Sequence, residues 1–300
     1  MPLLRAARSA ATLLREAAQR WGADRCDRLG AALSCYALFS LFPLVLLSVT
    51  SLGWLLGDDP GRRAAVVALF DTTGAPAVRA LLDDTLASMQ RNHAARGVGT
   101  IVGLATLLFG ASGAFSELDD ALNGIWRVAP ARRSGIGQYL LGLARDRAVA
   151  FLLVVAVAVV LLASLITSTM VTALGRAVDG VLPIAWFWRP VELGASLALS
   201  TLVLALLFRV LPRAAVAWRD VLGGALVTAV LLAVLKKLLA YYLVHIASYA
   251  AYGAAGAMLG LLTWIYSTSL VLYFGAELTR VYAERSGSLA VPAPTARVLR

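Results

Sequence analysis

Residues 231–249 read LLAVLKKLLAYYLVHIASY, and they hold Lys236 and Lys237, the only two lysines among twenty-seven basic side chains. Charge inside an apolar run is costly, so such a residue either reaches an interface or faces a partner. Lys237, Tyr241 and His245 recur at spacings of four, which lines a cation, a phenol and an imidazole along one helical face. That set can bind an anionic headgroup or a small anion, or pair with a carboxylate such as Glu192. If the span starts at Val221, Lys236 lies about 22 Å along it, in the outer third of a ~30 Å core and within snorkelling reach of headgroups. Three readings therefore stay open: headgroup contact by snorkelling, a structural pair with Glu192, and a substrate-facing site. Neighbouring helical positions point about 100° apart, so one lysine is expected to snorkel while the other faces the bundle.

Other residues invite chemistry less directly. Glu277, in GAEL, is expected to be an interfacial carboxylate paired with Arg280 three residues on, with a coupling or gating role as the alternative. Glu117, Asp119 and Asp120 in SELDD read as a solvated helix face, without a histidine nearby to make a metal site. Gly253, Gly256 and Gly260 point to close helix packing or a hinge. Pro43 removes a backbone donor within an apolar run and predicts a kink. A nuclease or hydrolase needs converging metal ligands or a nucleophile with its base. The chain has two histidines, His93 and His245, and lacks GxSxG, CxxC and a phosphate-binding glycine loop ending in lysine. No cofactor, no metal and no enzymatic activity are expected. Cys26 and Cys35 lack the spacing of a metal or redox motif and read as free thiols.

These residues must be positioned by membrane helices. With 60% hydrophobic and 15% charged residues, the composition is that of a polytopic membrane protein. The net charge of +10 is spread over the flanks of apolar runs instead of forming one patch, which argues against a nucleic-acid partner. The fold class is all-α, with six spans at about 32–56, 98–114, 148–172, 187–208, 221–246 and 252–278. Residues 1–31 form an amphipathic helix suited to the membrane surface, with Leu13, Leu14, Ala17, Ala18 and Trp21 opposite Arg15, Glu16, Gln19 and Arg20. Segment 57–97 is an external amphipathic segment, a separate surface helix begins at the Ser116–Asp119 capping box, and the tail 285–300 is disordered. Eighteen basic residues flank the spans on one side against six on the other, which puts both termini in the cytoplasm.

Three ordered stretches, AALSCYALFSLFPLVLL, FGASGAFSELDDALNGIWRV and YGAAGAMLGLLTWIYSTSLVLYFGAEL, resemble the YihY/BrkB family of bacterial inner-membrane proteins, over nearly the whole chain. Cys35 departs from the pattern, where the family commonly has an aromatic residue. The resemblance implies a six-span protein of the inner membrane, associated with envelope integrity and described as a transporter. It also implies a ribonuclease label once attached to relatives, which the missing metal ligands argue against. The expected function is transport or transbilayer handling of an anionic lipid or small anion. In that reading Lys236, Lys237, Tyr241, His245 and Glu192 line the path, Pro43, Gly256 and Gly260 permit movement, and Glu277 couples it. A non-transporting envelope scaffold is the alternative. Membrane lipids are the expected partners, and the oligomeric state is not legible.

Overall fold

The computed structural model describes residues 2–40, 93–130, 185–245, 253–286, 291–292 and 296–298. Its described elements are α1 (Pro2–Ala23), α2 (26–40), α3 (His93–Ile125), β1 (Val128–Pro130), α4 (Ala185–Val210), β2 (Ala214–Ala215), α5 (Trp218–His245), α6 (Gly253–Ser286), β3 (Val291–Pro292) and β4 (Ala296–Val298). The architecture is that of an all-α membrane protein. Among the described residues, three helices are long and apolar enough to cross a membrane, over Leu193–Val210, Trp218–Tyr242 and Met258–Ser286. They correspond to the fourth, fifth and sixth expected spans. The third span, most of the first with Pro43, and most of segment 57–97 lie outside the described residues.

The chain divides into two compact units. The first comprises Met1–Gly30, Leu118–Leu238 and Ser267–Arg300. Here α1 lays Ala17, with Leu13 beside it, on Leu278, Val281 and Phe274 of α6. Trp21 Nε1 donates to the Leu270 carbonyl at 3.2 Å, so the amphipathic stripe is used to dock α1 on another helix. The face opposite is not simply solvated: Arg20 binds both Glu16 and Glu284 at 2.7 Å, and Arg285 binds Glu16 at 2.6 Å. Leu14, at 44% exposure, and Ala18 stay outside this contact.

Two turns in this unit depart from ordinary helix ends. After α1, Arg25 takes φ 52°, and after α3, Arg127 takes φ 53°. A left-handed residue terminates a helix cleanly, but a side chain there costs about 1–2 kcal/mol that glycine would not. Arg127 offsets part of this by holding Asp24 at 2.6 Å, which ties one turn to the other.

Helices α5 and α6 cross antiparallel through a reciprocal pair of contacts. A methyl group on Gly224 would strike the Thr279 side chain, and one on Gly275 would strike that of Thr228. Each threonine hydroxyl is tied back to its own helix at 2.7 Å, Thr228 to the Gly224 carbonyl and Thr279 to the Gly275 carbonyl. Both helices thus carry Gly-x-x-x-Thr, and each threonine fills the space left by the other helix's glycine.

The second unit comprises Ala31–Glu117 and Leu239–Tyr266. Gly110 of α3 lies so close to α2 that a methyl group there would come within 2.7 Å of the Ser40 amide nitrogen. Gly113 faces the Tyr36 ring in the same way. Gly110 and Gly113 thus let α3 pack closely on α2.

Two expectations are corrected. The surface helix foreseen after Ser116 is not a separate element, because α3 runs unbroken from His93 to Ile125. No proline interrupts it, and its glycines are tolerated within a helix that tertiary contacts support. The tail, foreseen as disordered, contributes β3 and β4. β4 pairs antiparallel with β1, Val128 opposite Val298, and β3 pairs with β2, Ala214 opposite Pro292. The loops after α3 and between α4 and α5 offer backbone groups that an extended tail can satisfy.

Candidate functional site

Lys236 and Lys237 lie on α5, and both are exposed. Adjacent positions diverge by about 100°, and the exposed arc of α5 is wide enough to hold both. Leu222, Leu226, Val230, Val234, Leu238 and Tyr241 share this exposed surface, whereas Val221, Gly224, Ala225, Thr228, Ala229 and Leu239 are buried. Tyr241, one turn beyond Lys237, is 60% exposed. Glu192 belongs to α4 and His245 ends α5, and both side chains lie outside the described residues. Gly256 is buried and Gly260 half-buried, both within α6.

Glu277 stands apart from every other candidate. It has no exposed surface, and neither carboxylate oxygen meets a hydrogen-bond donor. The ion pair with Arg280 foreseen from their spacing is not formed. Arg280 instead donates Nε to Glu284 at 2.9 Å and Nη1 to the Ile125 carbonyl at 2.6 Å, which clamps α6 to the end of α3. Around Glu277 stand Asp24, within hydrogen-bonding reach, and the charges of Arg280 and Arg20. Cys26, fully buried at the start of α2, is also close; burial above all pushes its thiol up to about 12. That holds the sulfur as a thiol and makes it a poor nucleophile.

The acidic stretch of α3 is a docking device. Asp119 accepts from Arg213 at 3.3 Å, and Asn123 is buried, donating to the Asp119 carbonyl and accepting from the Arg213 backbone at 2.9 Å. Asp119 is thus half-buried and paired instead of solvated, while Asp120 is exposed. Arg209 stacks on Trp218 at 4.4 Å, which braces the same loop. On α1, the hydrogen bond from Arg285 is the largest influence holding Glu16 below its ordinary carboxylate value. Among the described residues no group of three or more His, Cys, Asp or Glu side chains is placed to hold a metal ion.

Sequence reasoning picked out Glu277 and read Cys26 as a free thiol, but it did not single out Asp24 or Arg127. Asp24 lies in a short polar turn among six arginines and carries no motif. Its distance in sequence from Glu277 hides the relation, whereas Arg280 is visible three residues away. The repeated Gly-x-x-x-Thr of α5 and α6 was the signal for the crossing.

Comparison with known proteins agrees with the fold and with the three sequence stretches. The virulence factor BrkB family matches residues 17–299. A UPF0761 membrane protein of Vibrio vulnificus is 28% identical over 89% of this chain and 80% of its own length. One from Vibrio cholerae is 30% identical over 63% of this chain and 60% of its own, and one from Chromobacterium violaceum 42% identical over 29% and 21%. The chain thus spans about a fifth to three fifths of the length of these last two relatives. No solved structure matches the chain. A match over nearly all its residues, on an all-helical membrane architecture, means that the chain belongs to the BrkB family of membrane proteins.

Proposed function

We propose that this protein is a non-enzymatic component of the bacterial inner membrane that handles an anionic lipid or small anion across the bilayer, with both termini cytoplasmic. The observation that carries the reading is the exposure of Lys236 and Lys237 on the apolar outer arc of α5. Lys236 lies about 27 Å along α5 from Trp218, close to the full depth of a hydrocarbon core. At that depth a lysine stem lies against acyl chains while its ammonium reaches headgroups, and Tyr241 one turn on suits the same interface. Two adjacent ammonium groups diverging around the helix favour a ligand with more than one acidic oxygen, such as a lipid phosphate. Arginines gather at the other end, so a lipid moving across would leave one cationic zone for another.

The same exposure favours a second reading, an envelope scaffold whose lysines bind headgroups without moving them. Purified protein in vesicles, carrying a fluorescent anionic lipid whose outer-leaflet fraction is read by a membrane-impermeant quencher, separates the two. Faster exchange of the anionic lipid between leaflets, with less effect on a zwitterionic one and loss in Lys236→Gln/Lys237→Gln, supports transbilayer handling. Unchanged exchange with intact lysine-dependent lipid binding moves the assignment to the scaffold.

A further inference from the structure

Glu277 is a buried carboxyl group whose two oxygens have no donor, at a place where the chain had arginines to offer. Among the described residues, the charged and titratable groups that act on it or feel it are Arg20 from α1, Asp24 from the turn after α1, Cys26 from α2 and Arg280 from α6 itself. The α5 residues that meet α6 near this point, Gly224 and Thr228, carry no charge. Arg20 is occupied by Glu16 and Glu284, and Arg280 by Glu284 and the Ile125 carbonyl. Neither guanidinium hydrogen-bonds to Glu277.

Asp24 divides its two oxygens. Oδ1 accepts from Arg127 at 2.6 Å and Oδ2 is buried without a donor, while Glu277 lies within hydrogen-bonding reach of the same side chain. Two carboxylates in that relation repel, and each leaves an acceptor unsatisfied. One proton removes both faults: it turns the repulsion into an O–H···O⁻ hydrogen bond and satisfies Asp24 Oδ2 together with one Glu277 oxygen. We propose that Glu277 and Asp24 hold a single proton between them, making this pair a proton-binding site at the arginine-rich end of α6. Arg127 keeps Asp24 as the acceptor, and Glu277 is the donor.

A metal cation is the competing occupant. The positive charges of Arg20 and Arg280 act on the same carboxyl group and oppose a second cation, whereas a proton forms a covalent O–H and needs no coordination shell. If lipid movement is ion-driven, this site would take the coupling ion; that use alone rests on the transport reading, and the proton itself does not.

Infrared difference spectroscopy on the full chain reconstituted in lipid at neutral pH tests the proposal. The wild type minus Glu277→Gln spectrum is expected to contain the carbonyl stretch of a protonated carboxyl group, shifted down in heavy water. Asp24→Asn is expected to displace that band, because it alters the acceptor; this difference reads the same carboxyl group should Glu277→Gln fail to fold. Spectra with carboxylate bands alone overturn the proposal, and carboxylate bands that shift on adding sodium assign the pair to a metal cation instead. A protonated band without lipid exchange keeps the proton site and removes the transport reading, while lipid exchange without the band does the reverse.

Discussion

The arginine-rich end of the first unit and the lysine pair of α5 carry the same sign of charge but are held in different ways. At the arginine end, guanidinium groups bridge helices: Arg20 joins α1 to α6, Arg280 joins α6 to α3, and Arg127 joins the two left-handed turns. The planar, multi-donor arginine head suits such bridging. Lys236 and Lys237 stand exposed on one helix, where a compact ammonium on a flexible stem can follow a headgroup. One region uses charge to fix the fold, and the other leaves it available to the surroundings.

The largest effect is expected where helices touch without any charge. Gly224→Val and Gly275→Val each force a branched side chain against a threonine whose hydroxyl is tied to its own backbone. Overpacking of this kind costs about 1–3 kcal/mol and occasionally more. Thermal unfolding in detergent should show a large drop or loss of folded protein. Gly223→Ala is the control, because its methyl group would meet only the Tyr282 ring at 4.0 Å. Equal damage from all three variants would mean that α5 and α6 do not cross in this register.

Next is Arg280→Ala, which leaves the Ile125 carbonyl and Glu284 without this partner. Hydrogen bonds from a charged group are worth about 1.5–3 kcal/mol, and a loss near 2 kcal/mol in unfolding free energy is expected. Arg127→Ala should cost less, about 0.5–1 kcal/mol, since its side chain is half exposed. Arg127→Gly should do less harm than Arg127→Ala, because it removes the same ion pair but also relieves the left-handed backbone. Should Gly prove as damaging as Ala, the turn is not strained at this residue.

What the sequence disclosed follows the range of the interactions involved. The fourth, fifth and sixth spans are long apolar runs, and α4, α5 and α6 occupy them. The apolar stripe of α1 was legible because Leu13 and Ala17 are one turn apart. Its partner was not, since Trp21 reaches Leu270 across 249 residues. The unbroken α3 was missed because a local capping pattern at Ser116 competes with a longer helix stabilised from outside. Glu277 drew notice as a carboxylate in an apolar run, but the pairing with Arg280 was inferred from neighbours in sequence. Burial turned Arg280 toward Ile125 and Glu284, and brought Asp24 to Glu277.

A smaller effect concerns pH. Arg285 and Arg20 hold Glu16 below its ordinary carboxylate value of 4.5. A carboxylate depressed in the fold stabilises it fully above the ordinary value, and that contribution is lost as pH falls through the lower, folded-state value. The wild type should therefore melt higher than Glu16→Gln at neutral pH, and the gap should close in acid. Because Glu16 is partly exposed, screening keeps the gap modest. A gap that persists unchanged in acid would assign the role of Glu16 to packing.

The smallest effect on stability is expected at the lysines, and it carries the most information about function. Lys236→Gln and Lys237→Gln remove charge from exposed positions on α5, and such substitutions usually change stability by less than about 0.5 kcal/mol. Binding to vesicles doped with an anionic lipid should nevertheless weaken, by about 1 kcal/mol for each lysine near the headgroups, and rising salt should erase the difference. The arginine end should behave in the opposite sense: Arg280→Ala lowers the melting temperature and leaves lipid binding by the surviving folded protein unchanged. If the lysine variants unfold the protein while lipid binding is untouched, the charge on α5 is holding the fold together after all. The division between fixing charge and available charge would then be wrong at its most accessible point.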